Sequence, residues 1–238
     1  MKKKKLRTKG VLLLLPFLAQ ACGGQGPGDP IPPMATDTVD FLALGDSYTI
    51  GESVSPGLRW PVQLASALDR AGVPVSAPEI VARTGWTTDE LAREIQERDL
   101  KGPYELVSLL IGVNNQYRGR GVEEYRAEFV DLLGQAISFA GGNPGRVFVL
   151  SIPDWGVTPF AEGRDRAQIG AEIDAFNEVN RTESERLAVR YVDVTAISRE
   201  AATNPELVAE DGLHPSGAMY ARWAEAALPT VLDMLGRW

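Results

Sequence analysis

Five short apolar runs alternate with amphipathic stretches along most of this 238-residue chain, and this alternation constrains the fold more than any other feature. The runs are rich in Val, Leu and Ile and end in Gly, Asp, Asn or Pro, as is typical of strands buried in a parallel sheet. They are TVDFLALGDS, PEIVARTG, YELVSLLIGVNN, RVFVLSIPD and VRYVDVT.

The stretches between and after these runs carry apolar residues at helical spacing. They are WPVQLASALDRAG, TTDELAREIQERDL, VEEYRAEFVDLLGQAISFAGG, DRAQIGAEIDAFNEVNRTESERLA and SGAMYARWAEAALPTVLDML. Residues 87–90, TTDE, also supply a helix start with acidic residues near the positive end of the helix. Strands that alternate with helices predict a three-layer α/β/α domain around a doubly wound parallel sheet of five strands. In such sheets, ligands bind beyond the carboxyl ends of the strands.

The first residues predict an export signal. Six basic residues lie within residues 1–10, and VLLLLPFLAQAC then forms an apolar stretch too short to span a bilayer. The alternative is a basic start to a buried helix, but Pro16 would lie inside that helix. Cleavage before Cys22 makes residues 1–21 the signal peptide and the Gly- and Pro-rich residues 22–38 a tether. Residues 39–238 then form the predicted domain.

Two processing routes fit this cleavage. The residues AQA at 19–21 suit ordinary signal removal, which would give a secreted protein. The residues ACGG at 21–24 resemble a bacterial lipobox, although Leu18 lies one place early. We favour the lipoprotein because Cys22 is the only cysteine and lies where the lipid would be attached. The prediction is an exported protein anchored to a membrane through Cys22, in the periplasm or at the cell surface.

Charge argues against nucleic acid as a partner. The chain has 24 basic and 32 acidic residues. Without the six basic residues of the signal, 18 basic residues remain against 32 acidic ones, a net charge of −14. A domain this acidic is repelled by phosphate backbones. One histidine and one cysteine are also too few for a transition-metal cluster, so we expect neither a metal nor another cofactor.

Polar residues collect where the predicted strands end. They are GDS at 45–47, RTG at 83–85 and GVNN at 112–115, and DGLHP at 211–215 follows the fifth run. Taken singly, a serine after a strand is a helix cap, and glycine or asparagine is a turn former. Taken together, these residues bring a nucleophile, amide donors and an acid–histidine pair to one rim. His214 is the only imidazole available as a general base, and it lies three residues after Asp211.

In this order and at these distances, the four blocks resemble those of the SGNH or GDSL hydrolases, over roughly residues 39–235. The resemblance implies the flavodoxin-like SGNH hydrolase fold and a serine esterase. Ser47 would be the nucleophile, His214 the base and Asp211 the group that holds the imidazole. The backbone N–H groups of Ser47 and Gly85 and the side-chain amide of Asn114 would form the oxyanion hole.

One position departs from the family pattern, and several aromatic residues lie near the predicted rim. The family commonly has Asp where this chain has Asn115, so we expect different hydrogen bonds to orient this loop. Trp86, Asn115 and Trp155 are candidate substrate-binding residues. Trp60 and Tyr117 also fall in or near rim loops, where packing is the alternative role of an aromatic side chain.

The predicted substrate class depends on the family resemblance and on the length of the segments between the four polar blocks. Family members cleave acetyl groups from carbohydrates, short-chain esters, lysophospholipids and thioesters. Because no long apolar lid or insertion is evident, we predict an esterase for small acyl esters, with a small molecule, carbohydrate or lipid as the alcohol. A lysophospholipase is the alternative enzyme. A tethered, non-catalytic binding protein on the same fold is the alternative of another class. No feature of the sequence sets the oligomeric state.

Overall fold

The five apolar runs form the five strands of one parallel sheet. In this computed structural model, which describes residues 38–236, the strands are β1 (Phe41–Gly45), β2 (Glu79–Ala82), β3 (Leu106–Leu110), β4 (Val147–Leu150) and β5 (Arg190–Val192). The order in the sheet is β2-β1-β3-β4-β5, and every pair is parallel. The predicted signal peptide, Cys22 and all but the last residue of the predicted tether lie outside the described residues.

Each of the five amphipathic stretches forms a helix, and three shorter helices lie just beyond strand ends. The helices are α1 (Ser47–Ile50), α2 (Trp60–Arg70), α3 (Thr88–Glu97), α4 (Val113–Tyr117), α5 (Val122–Phe139), α6 (Arg166–Arg186), α7 (Thr195–Arg199) and α8 (Gly217–Met234). The start of α3 is as predicted: Thr87 caps it in a reciprocal capping box with Glu90. Within residues 38–236, no helix is both long and apolar enough to cross a membrane.

The strand order distributes the helices over both faces of the sheet. The crossover through α2 runs from β1 outward to β2, whereas the crossovers through α3, α5 and α6 run in the opposite direction. Because such crossovers are right-handed, opposite directions place the helices on opposite faces. Accordingly α2 packs against α8, while α5 packs against α3 and α6. The predicted doubly wound α/β/α architecture is confirmed.

Aromatic side chains fill the core beside the sheet. Trp60, at the start of α2, is fully buried, and its ring lies 6.3 Å from those of both Phe41 and Phe148. Trp60 therefore packs in the core and is not a rim residue, in contrast to the sequence-based possibility. Near α5 and α6, the rings of Tyr125 and Phe176 lie 4.5 Å apart.

The strand order also identifies the edge of the sheet where a ligand site is expected. From β1 the chain turns to β2 on one side, and β3 lies on the other side of β1. The order of the strands thus reverses between β1 and β3. A crevice forms at the carboxyl ends of such a pair, because the loops that leave them diverge over opposite faces.

Candidate active site

The turn after β1 carries Ser47. Asp46 is the N-cap of α1, and its side chain accepts a hydrogen bond of 3.0 Å from the backbone N–H of Tyr48. The helix ends after one turn at Gly51, which adopts a left-handed conformation with φ 68°. Ser47 is therefore the first residue of a short helix at a strand end, and its side chain lines a cavity at this edge of the sheet.

Asp46 is itself buried, and its environment is unusual. Its Oδ2 atom has no hydrogen-bond partner among the described residues. Burial raises the pKa of this carboxyl to about 7, against the opposing effect of the hydrogen bond from the Tyr48 N–H. A buried group that ionises near neutral pH thus lies directly beside Ser47.

Gly85 follows β2 and lines the same cavity. Its φ of 87° lies in the left-handed region, which a residue with a Cβ atom rarely adopts. The guanidinium group of Arg118 donates a hydrogen bond of 2.6 Å to the Gly85 carbonyl and also contacts the Glu90 carboxylate at 3.2 Å. These contacts hold the peptide group between Gly85 and Trp86 in one orientation.

Asn114 lies in α4, directly after β3. Gly112 is the N-cap of this helix, with a φ of 125°. A Cβ atom added there would lie 2.6 Å from the Tyr125 hydroxyl oxygen, so only glycine fits. The Asn114 side-chain amide donates a hydrogen bond of 2.9 Å to the Trp86 carbonyl oxygen. The amide has a second N–H, and the Asn114 side chain lines the cavity beside Ser47.

Asn115 does not line this cavity. Its side chain is fully buried, with Oδ1 accepting from the Thr88 backbone N–H at 3.1 Å and Nδ2 donating to the Thr88 hydroxyl at 2.6 Å. Nδ2 also lies 3.4 Å from the Glu128 carboxylate. An aspartate here could not donate these bonds and would face another carboxylate. The departure from the family pattern therefore matches a buried network that ties α4 to α3 and α5.

Asp211 and His214 lie in the loop that precedes α8. Asp211 Oδ1 accepts hydrogen bonds of 2.9 Å from the backbone N–H groups of Leu213 and His214. Asp211 Oδ2 lies 2.6 Å from His214 Nδ1. Partial burial opposes ionisation, but hydrogen bonds from Ser53, the His214 ring and these two backbone groups hold the pKa of Asp211 well below its usual range. Asp211 is therefore an anion at all physiological pH values.

The imidazole of His214 is packed as well as hydrogen-bonded. The residue is 7% exposed, and the Tyr48 ring meets it edge-on with 5.6 Å between ring centroids. Burial raises the pKa of the Tyr48 phenol, so this neighbour stays neutral. The imidazole is thus held between a carboxylate and an uncharged ring.

One cavity of about 170 Å³ brings Ser47, Gly85, Asn114 and His214 together. Asp211 contacts the cavity only through His214. A larger and shallower groove of about 810 Å³ lies along β5 and α8, but none of the predicted site residues lines it. We therefore place the candidate active site at the smaller cavity, where polar residues from four separate segments of the chain converge.

Three aromatic rings form one side of the cavity, and we call Tyr117, Trp155 and Phe160 the aromatic wall. Neighbouring rings lie 5.5 to 6.3 Å apart. The Arg164 guanidinium lies 5.1 to 5.3 Å from all three ring centroids. The Trp155 indole N–H donates a hydrogen bond of 2.8 Å to the Gln116 side chain, which anchors the wall to α4.

The wall agrees only in part with the residues proposed from the sequence. Trp155 and Tyr117 line the cavity, whereas Trp86 contributes only a backbone carbonyl, to Asn114, and packs against the core. Sequence reasoning missed Phe160 and Leu213, which also line the cavity. Only their positions in the sequence could have indicated that these two residues line the cavity. Phe160 lies in the loop after β4, and Leu213 lies inside the DGLHP block.

Comparisons with known proteins agree with this arrangement. Residues 43–222 match the GDSL-like lipase/acylhydrolase family. No curated protein sequence shows significant similarity to the chain.

Several solved structures share the fold. A lipase/acylhydrolase from Enterococcus faecalis is 20% identical with a TM-score of 0.64, and the match covers 84% of this chain and 97% of that one. An acetyl xylan esterase variant from Geobacillus stearothermophilus is 20% identical with a TM-score of 0.63, covering 81% and 94%. The psychrotrophic esterase EstA from Pseudoalteromonas sp. is 15% identical with a TM-score of 0.63, covering 83% and 99%. At these identities the likeness shows the fold.

Proposed function

Because the chain belongs to the GDSL-like lipase/acylhydrolase family and is a carboxylic ester hydrolase, we propose that it cleaves small acyl esters through an acyl-enzyme on Ser47. The observation that supports this proposal most is the convergence of Ser47, His214, Gly85 and Asn114 on one cavity, with Asp211 bonded to the imidazole. The reaction requires a nucleophile, a base and oxyanion donors around the same carbonyl group.

In the first half of the proposed reaction, His214 Nε2 takes the proton of the Ser47 hydroxyl as Oγ attacks the ester carbonyl carbon. The carbonyl oxygen becomes an oxyanion, which the N–H groups of Ser47 and Gly85 and the Asn114 side chain stabilise. The bond to the alcohol then breaks, and the imidazolium returns its proton to the departing oxygen. The Asp211 carboxylate stabilises the imidazolium in between.

The second half repeats these steps with water. His214 takes a proton from a water molecule as the water oxygen attacks the acyl carbon of the ester on Ser47. The Ser47 Oγ leaves and regains the proton from the imidazolium. The carboxylic acid is released, and the enzyme returns to its starting state with no cofactor consumed.

The size and character of the cavity favour a short acyl group. Its volume of about 170 Å³ lies below the roughly 300 to 1,000 Å³ of pockets that enclose drug-sized ligands. The aromatic wall supplies apolar contacts for an acyl chain of a few carbons or for the face of a sugar ring. A lysophospholipase would need room for a long acyl chain, so that activity remains the second candidate.

We also propose that the enzyme is exported and anchored through a lipid on Cys22. The basic start, the apolar stretch and the residues ACGG at 21–24 support this proposal. A Gly- and Pro-rich tether would then hold the domain away from the membrane. Metabolic labelling with an alkyne fatty acid tests it: the wild-type chain should incorporate the label, whereas Cys22→Ser should not. Release of unlabelled wild-type protein would instead support secretion.

The esterase proposal is tested with a fluorophosphonate probe and a panel of esters. The probe should label Ser47, identified by peptide mapping, and Ser47→Ala should abolish both labelling and hydrolysis while the protein stays folded by circular dichroism. The panel comprises p-nitrophenyl esters of graded chain length, acetylated xylan and a lysophospholipid. Highest kcat/KM on the acetyl and butyryl esters supports the proposal, and highest kcat/KM on the lysophospholipid supports the second candidate. Folded wild-type protein that neither reacts with the probe nor hydrolyses any ester would contradict both.

A further inference from the structure

Asp211 receives a hydrogen bond that the serine–histidine–acid arrangement does not require. The Ser53 hydroxyl donates to Asp211 Oδ2 with 2.6 Å between the oxygens. This carboxylate oxygen is the one that lies 2.6 Å from His214 Nδ1. Ser53 is thus attached to the same atom that holds the imidazole, although it is 158 positions from Asp211 in the sequence.

Ser53 reaches Asp211 from an unfavourable backbone conformation. Its φ is 63°, and within residues 38–236 only Ser53 and Ala188 are non-glycine residues with positive φ. The left-handed region costs free energy for a residue with a Cβ atom. A strained residue persists when the surrounding structure imposes the strain, and such residues cluster at functional sites. The conformation of Ser53 therefore points to a use for its side chain.

The loop that carries Ser53 connects three parts of the site. The backbone N–H of Glu52 donates a hydrogen bond of 3.0 Å to the Ser47 carbonyl oxygen. The Glu52 carboxylate accepts a hydrogen bond from the hydroxyl of Thr84, which lines the cavity next to Gly85. Ser53 then contacts Asp211. The segment directly after the nucleophile helix is thus bonded to the Ser47 backbone, to the loop after β2 and to the acid.

With the Ser53 bond, the hydrogen-bonding capacity of Asp211 is filled. A carboxylate has about four acceptor sites. Two backbone N–H groups occupy Oδ1, and Ser53 and His214 occupy Oδ2. Ser53 provides the only side-chain hydroxyl that donates to Asp211 within the described residues. Among the described residues, the Ser53 bond is the one hydrogen bond that holds Oδ2 independently of the imidazole, so it fixes this oxygen whatever the position of the ring.

We propose that Ser53 is a positioning residue that locks the Asp211 carboxylate, and through it the His214 ring, in the orientation that proton transfer from Ser47 needs. This inference rests on the proposed esterase mechanism. The bond acts in two ways: it fixes Oδ2 opposite Nδ1, and it disperses part of the negative charge that the imidazolium experiences. Loss of the bond therefore lowers turnover and strengthens the attraction between Asp211 and a protonated His214.

Other groups around the imidazole do not take this role. The Tyr48 ring packs edge-on against His214. Asp46 and Asp154 interact electrostatically with the Tyr48 hydroxyl, as Asp211 does. The Asp46 carboxylate accepts a hydrogen bond from the Tyr48 backbone N–H. The Asp154 carboxylate accepts hydrogen bonds from the Gly156 backbone N–H and from the Arg199 guanidinium. Asp46 ionises near pH 7, but it is present in wild type and in the Ser53 variants alike. A difference between their pH profiles therefore reports the loss of the Ser53 bond.

Two replacements of Ser53 and one matched control test the proposal. Ser53→Ala removes the hydroxyl and keeps the Cβ atom, whereas Ser53→Gly removes both and suits the left-handed backbone. The control is Ser55→Ala, an exposed serine of the same loop whose side chain makes no capping bond. Both Ser53 variants should lower kcat roughly tenfold, while Ser55→Ala should match wild type.

The pH profile separates positioning from a merely structural effect. In both Ser53 variants the acid limb of kcat/KM should move to higher pH by about half a unit, because Asp211 then attracts the imidazolium more strongly. The NMR titration of the single imidazole, in protein without a histidine tag, should move in the same direction. A structural effect would lower activity without moving this limb.

Each result has a separate meaning. Loss of activity in Ser53→Ala with full activity in Ser53→Gly would overturn the proposal, because the backbone would then be responsible. Unchanged kcat or an unmoved acid limb in both variants would also overturn it, even where Ser47→Ala and His214→Ala are inactive. If wild-type protein reacts with neither the probe nor the esters, the esterase mechanism itself fails, which is a different outcome.

Discussion

The two sides of the cavity are built in different ways. One side, which we call the catalytic edge, comprises Ser47, Gly85, Asn114, Asp211 and His214. Ser47 and His214 are 5% and 7% exposed, and the residues of this side are held by helix starts, glycine turns and hydrogen bonds from distant loops. The other side is the aromatic wall, where Tyr117 and Phe160 are 47% and 41% exposed and contact each other mainly ring to ring.

This difference matches the role that we propose for each side. Proton transfer and oxyanion stabilisation depend on distances within a few tenths of an ångström, so each group needs directional bonds that fix it. Apolar contact with an acyl group is non-directional and tolerates changes in shape. We therefore expect changes at the catalytic edge to alter kcat, and changes at the aromatic wall to alter the choice of substrate.

The largest effect is expected for Asp211→Asn, which removes the charge opposite His214 Nδ1. Turnover should fall by about 10³- to 10⁴-fold, because an amide can reverse which ring nitrogen carries the proton. Since hydrogen bonds hold the pKa of Asp211 well below its usual range, the wild-type carboxylate is charged across the assay range. Loss of this charge should move the acid limb of kcat/KM to lower pH, opposite to the Ser53 variants.

Glu210→Gln is the matched control for this experiment, because Glu210 is an exposed neighbour of Asp211. It removes one charge from the same loop and should leave turnover near the wild-type value. If Asp211→Asn retained near-normal turnover, or if both variants lost activity equally, the acid would not be Asp211.

A smaller effect is expected for Asn114→Ala. If the amide donates mainly to charge that develops in the transition state, kcat should fall by roughly a hundredfold or more while KM changes little. Asn114→Asp should be at least as slow, because it replaces the donor with an anion. A rise in KM at constant kcat would mean that Asn114 binds the substrate instead. It would contradict our expectation that changes at the catalytic edge alter kcat.

Phe160→Ala tests the aromatic wall directly. Removal of this ring opens one side of the cavity, so kcat/KM for hexanoyl relative to acetyl esters should rise by roughly three- to tenfold. Leu58→Ala is the control, because Leu58 is similarly exposed at 46% but does not line the cavity. An unchanged acyl preference together with a large fall in kcat would show that the wall serves the chemistry as well.

The smallest effect on turnover is expected for Asp46→Asn, which should instead change stability. Burial raises the pKa of Asp46 from 3.8 to about 7, so the folded protein binds more protons than the unfolded chain between these values. The stability contributed by this group therefore falls as pH rises from about 4 to about 7 and stays low above that range. Asparagine keeps an acceptor for the Tyr48 N–H and does not ionise.

Thermal unfolding at several pH values checks this prediction. Asp46→Asn should melt about 5 °C or more above wild type at pH 8, and the difference should shrink towards pH 4. The exposed Asp99→Asn should show no such pH-dependent gain. If Asp46→Asn is less stable than wild type at pH 8, the buried Asp46 carboxylate has a stabilising partner, and its ionisation does not destabilise the fold as we expect.

The fold was predictable in most respects from the sequence. All five strands and all five long helices lie where apolar runs and helical periodicity predicted them, and the family resemblance is confirmed. The short helices α1, α4 and α7 were not predicted, because a segment of four or five residues is too short to show a helical period. Two of these helices nevertheless carry Ser47 and Asn114.

The site was less predictable, because side-chain direction depends on packing. Trp60 and Asn115 were both candidates near the rim, yet both are fully buried. The sequence contained no signal for Ser53, whose contact depends on a left-handed backbone and a partner 158 positions away. Arg164 also gave no signal, since its position over three rings depends on how the loop after β4 packs against the end of α4.

The sequence by itself determined the parallel sheet, its helices and the order of the four polar blocks, because periodicity and turn residues act over a few neighbouring positions. Only the tertiary structure decided which of those polar side chains share a cavity, how the Asp211 carboxylate is held and which aromatic rings line the cavity. Such contacts join segments far apart in the chain. They arise when the helices close over the sheet and the loops at its carboxyl edge pack against one another, which no local pattern encodes.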